Sequence, residues 1–277
     1  MEPLHEACKS GNIKQLEIEL LKGVDPTINN NAAIRIAAAN GHLDVVNRLL
    51  DIDGVDPSAV DNYAIRVAAE NGHLDVVNRL LDIDGVDPTA FDNHAIRGAA
   101  KNGHLGVVNR LLDLEGVDPT AKNNYALGMA AANGHLDVVN RLLDIDSVDP
   151  TAGDNYALGM AAANGHLNVV NRLLDIDGVD PTDEDNYAIR MAAANGHLDV
   201  VNRLLDIDGV DPTADSNFAI GMAAANGHLN VVNRLLDIDG VDPTVRNNEA
   251  IREAAYHGHK KVVLTLFDFI REHHPEQ

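Results

Sequence analysis

The chain has 277 residues, 45% hydrophobic and 3% aromatic, with a formal net charge of −22. That balance argues against binding nucleic acid through its phosphates, which needs Lys and Arg in excess, and it suits solubility and a basic partner. No apolar run approaches the eighteen or so residues of a membrane span. The single cysteine, Cys8, permits no internal disulfide, so a reducing compartment is expected.

The N-terminal stretch "MEPLHEACKSGN" lacks the basic start and apolar core of a secretion signal, which points to the cytoplasm. The first unit is polar and irregular, with Lys9, Lys14, Gln15, Glu17 and Glu19, as a terminal unit with one soluble outer face should be. Beyond it the chain repeats itself. The cue "NGHL" begins at Asn40, Asn71, Asn102, Asn133, Asn164, Asn195 and Asn226, always 31 residues apart. A fixed period of this length predicts a stacked array rather than a globule with one centre.

The copy over residues 58–88, "SAVDNYAIRVAAENGHLDVVNRLLDIDGVDP", stands for the others. Asn62 precedes a helix-favouring stretch and reads as an N-cap, its side chain accepting from a free N–H of the first turn. Asn31, Asn93, Asn124, Asn155, Asn186, Asn217 and Asn248 hold the same place. A helix is expected over about 63–71, with Ala64, Ala68 and Ala69 allowing close approach of neighbours. Asn71-Gly72 ends it, because glycine takes the left-handed helix-end conformation without penalty. A second helix carries Leu74, Val77, Leu80 and Leu81 as a buried stripe. Asp75 and Arg79 on its outer face form a surface pair at i,i+4, as do Asp44–Arg48, Asp137–Arg141 and Asp199–Arg203. The segment "DIDGVDP" closes the unit as a turn.

These residues resemble the ankyrin-repeat family. "PLHEACKSGN" keeps that family's Pro-Leu-His-x-Ala…Gly wording, and "AANGHLDVV" its Gly-His-Leu opening of the second helix. Nine helix pairs are expected, centred on Gly11, Gly41, Gly72, Gly103, Gly134, Gly165, Gly196, Gly227 and Gly258. The resemblance implies an all-α ankyrin-repeat solenoid of stacked antiparallel helix pairs with short hairpin loops. It also implies a single domain over 1–277, with an N-terminal cap over 1–28, seven 31-residue repeats over 29–243 and a C-terminal cap over 244–277. The period is shorter than the family's usual one, and "Ala-Ile-Arg" or "Ala-Leu-Gly" replaces Pro-Leu-His after the first copy. This dialect is similar to ankyrin proteins of bacteria and giant viruses that live inside eukaryotic cells.

Catalysis and cofactors are not expected. His42, His73, His104, His135, His166, His197, His228 and His259 are one repeated position, spaced a whole repeat apart, so no metal cluster forms within a unit. The "DIDG" turns resemble the start of a calcium loop but lack the Glu that completes one. Cys8 has His5 nearby in sequence but no oxyanion hole around it. No glycine-rich phosphate loop is present.

Function is read where the copies differ. One column, Asn29, Val60, Phe91, Lys122, Gly153, Glu184, Asp215 and Arg246, holds eight different residues in eight copies. The resemblance places it at the finger tips beside a concave surface. A second column, Ala32, Tyr63, His94, Tyr125, Tyr156, Tyr187, Phe218 and Glu249, collects five of the aromatics. These rings suit a binding hot spot or packing between repeats. A third column holds Arg35, Arg66, Arg97, Arg190 and Arg252, but Gly128, Gly159 and Gly221 in three copies. Glycine inside a helix costs about 1 kcal/mol relative to alanine, so a neighbouring side chain or a partner should come close there. Met129, Met160, Met191 and Met222 are expected in the core. Glu70 and Lys101 add charge to the early repeats.

The leading expectation is a non-catalytic scaffold that binds another protein, basic or from a host, on its finger and inner-helix surface. It is expected to be monomeric, to bind neither nucleic acid nor membrane, and to act as an effector in host cytoplasm. The binding residues expected are Val60, Tyr63, Arg66, Phe91, His94, Arg97, Lys101, Lys122, Tyr125, Tyr156, Glu184, Tyr187, Asp215, Phe218 and Arg246. The rivals are an acidic decoy that captures a basic protein through its Asp-rich ridge, and a purely structural array.

Overall fold

The computed structural model describes residues 2–273. They form eighteen helices, and no strand occurs among the described residues. Two compact units are present, Met1–Ala130 with Asp137–Asp149, and Ala131–Leu136 with Pro150–Gln277.

The first unit is built mainly from α1 (Glu2–Ser10), α2 (Ile13–Leu21), α3 (Ile28–Ala39), α4 (Leu43–Leu50), α5 (Ala59–Glu70), α6 (Leu74–Leu81), α7 (Ala90–Lys101), α8 (Leu105–Leu112), α9 (Ala121–Ala132) and α10 (Leu136–Leu143). The second contains α11 (Ala152–Ala163), α12 (Leu167–Leu174), α13 (Asp183–Ala194), α14 (Leu198–Leu205), α15 (Ala214–Ala225), α16 (Leu229–Leu236), α17 (Val245–Tyr256) and α18 (Lys260–His273). In the first unit α1, α3, α5 and α7 lie side by side, and in the second α11, α13, α15 and α17, and each of these packs on the even-numbered helix that follows it. The alanines do what their size allows. Ala64, Ala68 and Ala69 of α5 are fully buried, as are Ala95, Ala99 and Ala100 of α7. On α6 the fully buried set is Val76, Val77 and Leu80. Leu74 and Leu81, expected in that stripe, are only half-buried, because the covered face of this short helix is centred on the Val pair.

Three sets of hydrogen bonds run between neighbouring repeats within the units, and two of them differ from the sequence expectation. Asn62 is no N-cap. It holds a left-handed φ of 58°, and its Oδ1 accepts the backbone N–H of Asp87 in the next repeat at 2.8 Å. Asn31, Asn93, Asn124, Asn155, Asn186 and Asn217 accept from Asp56, Asp118, Asp149, Asp180, Asp211 and Asp242 in the same way. The outer-helix arginines also reach across repeats. Arg79 Nε donates to Asn47 Oδ1 at 2.7 Å, and Arg110, Arg141, Arg203 and Arg234 donate to Asn78, Asn109, Asn171 and Asn202. Arg48 meets Glu17 at 2.6 Å. The expected Asp–Arg pairs within one helix are not among the ion pairs of the described residues. An exposed ion pair gains little against solvent, so the arginine is free to lie along the stack and donate to the half-buried carboxamide one repeat away.

The third set is the histidines. His73 Nε2 bonds the Ala39 carbonyl at 3.1 Å, and His42, His166 and His197 bond Lys9, Ala132 and Ala163. Each ring lies against the helix-ending glycine of the preceding repeat. A Cβ on Gly72, whose φ is +77°, would sit 2.5 Å from His104 Nδ1. Alanine there would meet both the ring and the left-handed backbone. A net hydrogen bond contributes roughly 0.5–1.5 kcal/mol, and the bonds recur in register, so they help fix how neighbouring repeats seat.

Candidate partner-binding face

From α3 to α17, each odd-numbered helix opens with a finger made of a single left-handed turn. In α5, Val60, Asp61 and Asn62 have φ of 60°, 53° and 58°, and Asn62 N–H closes the turn on Ser58 O at 2.8 Å. Upstream, Asp56 Oδ1 accepts from both the N–H and the hydroxyl of Ser58, as Asp87 does from Thr89. One Asp of each such "DIDGVDP" ridge is therefore engaged in its own turn.

The arginine column clamps these fingers. Arg97 donates to the carbonyls of Phe91 and Asp92 at 2.9 and 2.8 Å, Arg35 to those of Asn29 and Asn30, and Arg190 to that of Glu184. The free face of each guanidinium takes an aromatic ring of the next repeat. Arg35 stands over Tyr63 at 5.4 Å, Arg97 over Tyr125 at 5.4 Å and Arg190 over Phe218 at 5.3 Å. Arg66 is held by both Phe91 at 4.6 Å and Tyr63 at 5.6 Å. Such contacts contribute about 0.5–2 kcal/mol, more when desolvated. Arg66, named among the expected binding residues, is only 8% exposed, and its guanidinium is covered by Phe91 and Tyr63 of its own chain. At Gly159, where the column holds glycine, a ring moves in. A Cβ on Gly159 would lie 2.8 Å from Tyr187 Cδ1. The neighbour that the glycine anticipated is thus an aromatic side chain of the same chain.

The variable column is exposed in all eight copies, and Phe91 is 61% exposed at its tip. Tyr63, Tyr156 and Lys101 are exposed beside it, while Tyr125, Tyr187 and Phe218 are half-buried. In the first unit the sequence-predicted residues Tyr63, Arg66, Phe91 and His94 form one cluster, with the Phe91 and His94 rings 6.0 Å apart. Burial, followed by the nearby Arg66 charge, holds His94 below the usual imidazole range. Lys122 pairs with Asp92 at 2.8 Å. In the second unit Asp215 lies between Arg190 at 2.9 Å and Arg246 at 3.0 Å, and Arg246 also faces Glu249 at 3.7 Å. Lys122, Asp215 and Arg246 therefore carry ion pairs within the chain, not isolated charges. The methionines, expected in the core, are half-buried on this same face.

Sequence reasoning missed two cavities. One of about 940 Å³ is lined by His5, Glu6, Lys9, Ala32, Arg35 and Tyr63, among others. The other, of about 110 Å³, lies between α15 and α17. Both open where the aromatic column departs from an aromatic residue, at Ala32 and at Glu249, and that departure was the available signal. Cys8 is fully buried, and burial pushes its thiol up to about 12, so it carries no thiolate near neutrality.

Paired helices, ladders from copy to copy and a variable exposed edge define a repeat scaffold. A family model of ankyrin repeats matches residues 2–92, 96–185 and 189–274. The chain belongs to the ankyrin-repeat family, whose members generally mediate binding to other proteins. No curated protein matches it. No helix is long and apolar enough to cross a membrane among the described residues.

Proposed function

We propose that the chain is a single nine-repeat domain that acts without catalysis, binding a partner protein along its fingers and odd-numbered helices. The observation that carries this reading is the contrast between neighbouring columns. Asn, Asp, Thr, His and Arg near each finger are tied up in the fold, and only the finger tip changes in every copy while staying exposed. The side chains at that tip make different contacts in different copies, Phe91 on Arg66, Lys122 on Asp92 and Arg246 on Asp215, and none belongs to the ladders that recur along the stack. Phe91, Val60, Tyr63 and Tyr156 supply area, and His94, Lys101 and Glu184 supply polarity. The dialect shared with ankyrin proteins of intracellular bacteria and giant viruses favours an effector that occupies a host protein in the cytoplasm.

The test compares proteins recovered from eukaryotic cytosol by this chain and by a Phe91→Ala, Lys101→Ala, Glu184→Ala variant whose fold is checked by circular dichroism. Loss of a salt-resistant partner with the variant supports the face. A partner retained by the variant but released by salt instead assigns binding to the acidic ridge, since exposed charges are screened beyond about 8–10 Å at ordinary ionic strength.

A further inference from the structure

The slot between consecutive odd-numbered helices can be compared copy by copy. Between α11 and α13 it is bounded by Leu158, Gly159, Pro181, Asp183 and Tyr187, and only about 10 Å³ remains open. The Tyr187 ring fills it, lying against Gly159. Two repeats on, between α15 and α17, the matching residues are Ile220, Gly221, Pro243, Val245 and Glu249. Glu249 stands where Tyr187 does, and it turns toward Arg246 instead, 3.7 Å away. A Cβ on Gly221 would meet nothing within 4 Å. The floor is intact and the ring is missing. What remains is a cavity of about 110 Å³ walled by Phe218, Met222, Ala225 and Val245, of the same order as the ~150 Å³ apolar cavity known to take a benzene ring.

We infer that this slot is a binding site for one aromatic side chain of a partner polypeptide, carried next to a lysine or arginine. The ring is dictated by the filled counterpart, which shows what shape these walls close on. The neighbouring cation follows from the rim, where Glu249 and Glu253 line the slot with Arg246, and Arg246 is already shared with Asp215. The chain's charge of −22 favours the same sign of partner at longer range. This site rests on the partner-binding reading above and narrows it, and its test needs no partner in hand.

The chain has five methionines and no tryptophan, so methyl-¹³C-methionine labelling yields a handful of signals, one of them from the slot wall. The full chain would be titrated with tyramine, with neutral p-cresol and with 3-(4-hydroxyphenyl)propionate. A ring in the slot shifts Met222 and leaves Met160 and Met191 in place. Tyramine should bind roughly two- to fivefold more tightly than the propionate, the range of a single exposed charge pair. Glu249→Tyr, which restores the ring from within, should abolish the shift, and Glu253→Gln should reduce the preference for tyramine. Absence of a Met222 shift at millimolar probe, or an equal shift in Glu249→Tyr, overturns the site. Equal affinity for all three probes overturns the basic neighbour and leaves an apolar small-molecule cavity. A Met222 shift that tracks protein concentration without probe gives the slot to a second copy and overturns the proposal. None of these results depends on the cytosol capture, so the finger face can stand if the slot fails.

Discussion

Asp211 donates its backbone N–H to Asn186 Oδ1 at 2.7 Å, while Asn186 itself sits at φ +62°. One residue thus meets two demands, tolerating left-handed backbone and accepting a bond from the next repeat. The two can be separated. Asn186→Gly keeps the backbone and loses the bond, and should lower stability by about 1–2 kcal/mol. Asn186→Ala loses the bond and adds left-handed strain, costing roughly a further 1 kcal/mol. Urea midpoints of the two variants measure the difference, and equal losses would show that the left-handed turn carries no strain.

Val60 adopts φ +60°, where a β-branched side chain is most strained. Asn29 occupies the equivalent place in the preceding finger with φ +55°. Val60→Asn should therefore raise stability by about 1 kcal/mol, read from the shift of the thermal midpoint. A drop in midpoint would mean that the exposed Val60 side chain packs usefully on the finger.

Gly159 and Gly221 share a sequence column but should respond oppositely to the same substitution. An added Cβ at Gly159 collides with the Tyr187 ring, whereas at Gly221 it meets open space. Gly221→Ala should stabilise α15 by up to about 1 kcal/mol through helix propensity. Gly159→Ala should destabilise, because the ring must leave its seat. Chemical unfolding of both variants decides the matter, and like signs would refute the filled-slot and open-slot distinction.

His94 is held below the ordinary imidazole range, first by burial and then by Arg66, with Arg97 and Lys101 acting the same way and Glu70 opposing them. A folded value below the unfolded one means that neutral His94 favours folding. Its contribution is fully present above about pH 6.5, the unfolded value, and is lost as pH falls through the lower folded value. Histidine NMR titration should show one ring with a low midpoint that vanishes in His94→Tyr. The variant should also lose less stability than the parent chain between neutral pH and pH 5. A midpoint for His94 at or above the ordinary value would contradict this placement.

The repeat architecture was legible in the sequence because its causes are local and periodic. Ala64, Ala68 and Ala69 state a close helix contact, Asn71-Gly72 states a stop, and recurrence every 31 residues states stacking. The first two signals lie within one repeat, and the third is the repetition itself. The destinations of the polar side chains do not lie within one repeat. Asn62 reads as a cap and Arg79 as the partner of Asp75, because a linear pattern offers only nearby groups. In the fold, the groups closest to them belong to the adjacent copies, Asp87 and Asn47. The same holds for the candidate site. The sequence by itself determined which columns vary and where glycine interrupts the Arg column. Tertiary structure alone decided that Arg66 lies buried under Phe91 and Tyr63, that Tyr187 fills the place over Gly159, and that the place over Gly221 stays empty. The physical reason is that the deciding contacts, Arg66 with Phe91 and Gly159 with Tyr187, run between neighbouring repeats. Their pairing is set by how one copy seats on the next, which no single copy encodes.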